Sequence, residues 1–128
     1  MNENELTGLL ESLRRMGSDD LSVEVKESAM TLSRDVWETV SAFANTAGGI
    51  IVLGVSERAG FVPVANFETE KVLNQFVAGM GDAGGRGKLA NPPKYTIERV
   101  GLRGTVVLVI TIEELDPSSK PCYVIERG

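Results

Sequence analysis

The chain has no histidine. That removes Ser-His-Asp and Cys-His catalysis and every histidine-based metal site. Any metal would be a hard cation on carboxylates, such as Mg2+ or Mn2+. The single cysteine, Cys122, excludes an internal disulfide, and nothing demands an oxidising compartment. Long apolar runs are missing too. Ile50 to Leu53, followed by Gly54 and Val55, falls far short of the ~20 residues that a membrane span needs. The opening Met1-Asn2-Glu3-Asn4-Glu5-Leu6 is polar and acidic, unlike a secretion signal, so a cytoplasmic location without a membrane partner is expected. Bases are the minority, 13 against 18 acids, and the net charge of -5 excludes a module that is basic throughout. Any cationic surface must be local.

What is present suffices for one core. The 128 residues are 42% hydrophobic, enough to offset chain entropy in one domain and too few residues for two cores. No internal repeat or low-complexity tract interrupts them. Leu6, Leu9, Leu10, Leu13 and Met16 recur at helical spacing, which predicts a helix over 5–16 with Gly17 as its stop. Alternation predicts a strand over 21–26, with Val23 and Val25 on one side and Glu24 and Lys26 on the other. Ser33 is the expected N-cap of a second helix carrying Val36, Trp37, Val40, Phe43 and Ala44 inward and ending at Gly48-Gly49. Ile50 to Val55 reads as a strand buried on both faces. A short returning strand over 61–64 and a third helix over 68–78 follow. Residues 79–93 are glycine-rich and read as a loop, then 94–100 and 105–112 as a hairpin. A last strand is expected over 121–125. The sum is an α+β single domain, a mixed β-sheet packed with about three helices.

Three features carry candidate chemistry. Gly79-Met80-Gly81-Asp82-Ala83-Gly84 matches G-x-G-x-x-G, but it follows a helix instead of a strand, and Leu89 stands where a phosphate loop needs Ser or Thr. Nucleotide binding through this segment is therefore disfavoured, and a mobile loop is the better reading. From 86 to 103 the bases are Arg86, Lys88, Lys94, Arg99 and Arg103, with Glu98 the single acid. Such a loop can wrap along phosphates, although clusters of this kind are usually solvated surface. The acids Asp19, Asp20, Glu24 and Glu57 are the third feature. If the strands that carry Glu24 and Glu57 are neighbours, their carboxylates could hold a divalent metal; the plain alternative is surface pairing with Lys26 and Arg58.

The most specific pattern is Ser41-Ala42-Phe43-Ala44-Asn45-Thr46-Ala47-Gly48-Gly49, followed by Ile50 to Val55 and preceded by Val23-Glu24-Val25-Lys26. It resembles the Schlafen-type AlbA-like family, with its V-E-F-K strand, S-A-F-A-N-T-x-G-G, and a strand ending in L-G-V. Val25 stands in place of the usual Phe, and Lys120-Pro121-Cys122-Tyr123-Val124 resembles the family's K/R-P-x-Y-V segment. The likeness runs over about Asp19 to Ile125. It implies an AlbA-like fold and nucleic acid as partner. It also implies that residues 1–128 are the N-terminal fragment of a longer bacterial chain, with a winged-helix-like module behind it. Such chains carry labels such as transcriptional regulator, ATP-binding protein or helicase-related protein.

Animal Schlafens include RNA endonucleases with three acids, and the matching positions here are Asp19, Glu24 and Glu57. Asp19 and Glu57 each exchange one carboxylate length for the other. The resemblance thus implies a metal set of Asp19, Glu24 and Glu57, with Lys26 offsetting phosphate charge. Four functions stand side by side: nucleic-acid binding through Arg86, Lys88, Lys94, Arg99 and Arg103; Mg2+- or Mn2+-dependent RNA cleavage; ATP binding; and oligomerisation. In the last, the strand near Cys122 is an exposed edge that pairs with a second copy in a homodimer. The first is the preferred expectation.

Overall fold

The structure is a computed structural model that describes residues 1–16 and 22–125. Helix α1 (Glu3–Met16) is followed by strand β1 (Val23–Lys26), helix α2 (Val36–Asn45) and strand β2 (Gly49–Leu53). Two short strands, β3 (Val55–Ser56) and β4 (Val62–Pro63), lead to helix α3 (Thr69–Gly79). Then come β5 (Leu89–Ala90), β6 (Tyr95–Leu102), β7 (Thr105–Ile112) and β8 (Tyr123–Val124). The main sheet has the order β1-β2-β7-β6; β1 and β2 run parallel, joined through α2, and the other neighbours are antiparallel. This is the α+β architecture expected.

Both faces of the sheet are covered, which explains its near-continuous apolar runs. Along β7, Leu108, Ile110 and Ile112 pack with Val36, Val40 and Phe43 of α2 and Phe76 of α3. Val107 and Val109 point the other way, toward Leu6, Leu10 and Leu13 of α1. On β2 the same alternation sends Ile51 and Leu53 toward α2 and α3, and Val52 toward α1.

Several local expectations are corrected. The N-cap of α2 is Asp35, and it makes no side-chain capping bond. Ser33 is engaged elsewhere: its N–H donates to Ser28 Oγ at 3.1 Å, and the two hydroxyls lie 2.8 Å apart. The run 50–55 is two strands, because Gly54 adopts φ +100° and a Cβ there would meet the Phe67 ring at 2.8 Å. The Gly48 corner holds as read, with φ +76° and its N–H donating to Phe43 O at 2.8 Å. The glycine-rich segment contains β5, which pairs antiparallel with β8. Its glycines therefore end in a paired strand, and Lys88 N–H donates to Gly79 O at 2.6 Å. Cys122 is only 2% exposed, so the last strand is buried on its Cys122 side and paired within the chain by β5.

Candidate functional site

Open sheets collect sites beyond the carboxyl ends of parallel strands. Here those ends are Lys26 and Leu53, which are register partners on β1 and β2. Glu24 pairs in register with Ile51, so Glu24 and Lys26 share the α2 face of the sheet. Beyond β2, the Gly54 turn redirects the chain. As a result Glu24, Lys26, Glu57 and Arg58 line one open cavity of about 400 Å3, together with Glu27 and Asp35.

Lys26 is the most buried charge of this site, with its side chain 8% exposed. Its ammonium lies 3.2 Å from Asp35 Oδ1 and 3.6 Å from Glu24 Oε1. Glu27 accepts from Ser56 Oγ at 2.8 Å and from Arg58 Nε at 3.0 Å. The Ser56 hydroxyl first, and Arg58 second, hold its carboxyl below the usual carboxylate range. Four acids against two bases leave the cavity at formal charge -2. Such a site repels a bare phosphate and attracts a cation.

Glu24 and Glu57 are thus brought together, while Asp19 lies outside the described residues. Among the described residues no group of three metal-competent side chains converges. Glu24 and Glu57 suit a divalent ion chemically, but Lys26 already neutralises part of the acid there, and a closed ligand set requires a further carboxylate. Sequence reasoning missed Glu27 and Asp35. Asp35 carried a signal, an acid just ahead of an apolar helical stripe; Glu27 carried none, because its partners Ser56 and Arg58 come from a distant turn.

The five expected bases are dispersed. Arg99 donates through Nε and Nη2 to Glu70 at 2.7 and 2.8 Å, which raises its own pKa and lowers that of Glu70. Lys94 lines a second cavity with Asp82, Tyr95 and Glu113. Arg103 sits against α1, its N–H donating to Glu3 Oε2 at 2.9 Å. Arg86 and Lys88 remain exposed, and they line a hollow with Arg34, another cation that sequence reasoning missed.

The helix motif has a structural task. Asn45 Nδ2 donates to Cys122 O at 2.8 Å, and Cys122 N–H donates to Asn45 Oδ1 at 2.7 Å. Ser41, one turn earlier, places its Oγ 3.6 Å from Cys122 Sγ. A Cβ on Gly48 would stand 2.6 Å from Ile112 O. The motif therefore clasps the Cys122 segment and turns the chain into β2.

The sequence pattern of the Schlafen AlbA_2 family matches residues 19–125. The chain belongs to that family. Among solved structures, the fold is similar to the solution NMR structure of the N-terminal domain of a Nitrosomonas europaea protein whose name relates it to the ATP-dependent DNA helicase RecG. The TM-score is 0.70 at 26% identity, over 95% of this chain and 81% of that one. A crystal structure of the DIP2311 protein from Corynebacterium diphtheriae matches at TM-score 0.44 and 16% identity, over 94% of this chain and 24% of that chain. No curated protein matches. No helix among the described residues is long and apolar enough to cross a membrane.

Proposed function

We propose that this domain binds single-stranded nucleic acid directly and docks the strand to a larger regulator-like protein with a winged-helix-like module. The observation that carries the reading is the exposure of Arg86 and Lys88, neither of which makes an ion pair among the described residues. The overall charge of -5 does not oppose this, because phosphate affinity depends on the local cations that displace counterions. The test is anisotropy of labelled single-stranded DNA and RNA across a salt series. Affinity falls steeply with salt, and the joint change Arg86→Ala and Lys88→Ala flattens the log-log slope by about 1.4. Absence of binding to either strand at low salt overturns the reading.

A second reading is favoured by the cavity that Glu24 and Glu57 share: divalent-metal-dependent cleavage of RNA. A bound Mg2+ or Mn2+ would supply Lewis acidity there. The chain's own contribution is to present Glu24 and Glu57 and to hold Lys26 beside them. Cleavage that stops in excess chelator and in Glu24→Ala supports this; cleavage that survives both removes it.

A further inference from the structure

The acidic cavity and the cationic hollow share a wall. Ser33 and Asp35 line the first, whereas Leu32, Arg34 and Trp37 line the second. The hollow measures about 400 Å3 between α2, α3 and the start of the glycine-rich segment, and no acid among the described residues lines it. Arg34, Arg86 and Lys88 are all exposed, and none makes an ion pair among the described residues. Three like charges around one hollow repel one another, and an anion between them relieves that repulsion. A bare phosphate would use the cations and ignore the rest. Its apolar lining, with Trp37 at the base, Leu32 on the wall and Ala78 at the exposed rim, calls for a ligand with an apolar body.

The hollow is also preformed. Gln75 Oε1 accepts from Leu32 N–H at 2.7 Å, and Gln75 Nε2 donates to Thr31 Oγ1 at 3.1 Å, so the wall is tied to α3. Lys88 is held through its backbone, its N–H bonded to Gly79 O and its carbonyl accepting from Ile125 N–H at 2.8 Å. Gly79 admits the indole: a Cβ there would lie 2.0 Å from Trp37 Cζ2. The backbone of the walls is thus set before binding, and the ordering that remains is that of the exposed Arg34, Arg86 and Lys88 side chains.

We infer that this hollow seats one nucleotide, its base against Leu32, Trp37 and Ala78 and its phosphate among Arg34, Arg86 and Lys88. The inference rests on the nucleic-acid reading above and adds to it a base-receiving pocket separate from the acidic cavity. A nucleotide supplies both halves that the hollow asks for, a planar body with apolar faces and an adjoining anion. Trp37 stacks on Phe76 and is 8% exposed, so the base meets only its outer edge and lies mainly over Leu32 and Ala78. Sequence tolerance follows because every base has an apolar face.

Trp37 is the chain's one tryptophan, so its fluorescence reports this site alone. The test titrates the full chain with oligothymidylate, with an abasic strand of equal length and with thymidine monophosphate, exciting at the red edge of the indole band. Oligothymidylate is expected to change the emission and the abasic strand to bind about tenfold more weakly. Arg34→Ala weakens both strands. Ala78→Leu, at an exposed helical position on the rim, crowds the apolar side of the hollow, leaves all three cations and removes only the advantage of the base. If the monophosphate alone saturates the signal, the source is free nucleotide; if only the strand does, it is a polymer. Equal binding of abasic and base-bearing strands, or an unmoved Trp37 signal while the strand binds, overturns the pocket and leaves the nucleic-acid reading standing. No strand binding at all removes that reading itself.

Discussion

The Asn45 amide meets both backbone groups of Cys122 and so stands in for a neighbouring strand. Two hydrogen bonds to a partly buried backbone, at about 1 kcal/mol each, make Asn45→Ala cost about 2 kcal/mol, read as a lower urea midpoint with an unchanged m-value. Asn45→Asp does not rescue it, because a carboxylate accepts from the N–H but cannot donate to the carbonyl. Burial pushes the Cys122 thiol up, so it resists alkylation at neutral pH, and its labelling rate rises in Asn45→Ala if the clasp opens. At this scale the sequence was readable wherever a residue acts through its own neighbours, as Gly48 does. It was opaque where two residues act across the fold. Arg99 looked like a strand-borne cation, yet Glu70, 29 positions away, holds it. Lys26 could be read as a surface partner of Glu24, but not as nearly buried.

Long elements were legible because each buries a periodic or continuous apolar face. α1, α2 and α3 follow the helical stripe, and the β6–β7 hairpin follows the turn at Gly101 to Gly104. Of the two-residue strands, β4 and β8 lie inside runs readable as short strands, β3 merged with β2 into one apolar run, and β5 was not legible. β5 exists only because β8, over 30 residues further on, lies beside it, and two residues show no period. The glycines divide the same way, and substitution separates them. Gly48→Ala combines positive φ with a 2.6 Å approach to Ile112 O and is expected to cost more than about 2 kcal/mol. Gly8, inside α1 with nothing within 4 Å of a built Cβ, gains about 1 kcal/mol as alanine. Thermal unfolding of the two variants should therefore move in opposite directions from the parent; a common fall would deny the open face of α1.

For the molecule as a whole, titration sets the limits of stability. Burial first, and Tyr95 donating to Asp82 second, push the Tyr95 hydroxyl up to about 12 from 10. The neutral phenol is thus the form favoured by folding. Its stabilisation is complete below pH 10 and is lost as pH climbs from 10 to about 12. Glu27 and Glu70 shift the opposite way, below 4.5; their contribution is present above that value and is lost as pH falls through their folded pKa. Both are solvent-facing pairs, so the acid limb is shallow. Urea unfolding across pH should show a plateau that drops on the alkaline side, and Tyr95→Phe, which keeps the ring beside Phe76, should flatten that drop. The main-chain bond from Ile125 to the Lys88 carbonyl, beside the β5–β8 ladder, makes a tether between the far end of the described chain and its cationic tip. A tug at Ile125 is a tug on Lys88, so tension on the carboxyl side and the posture of this exposed lysine belong to one mechanical linkage.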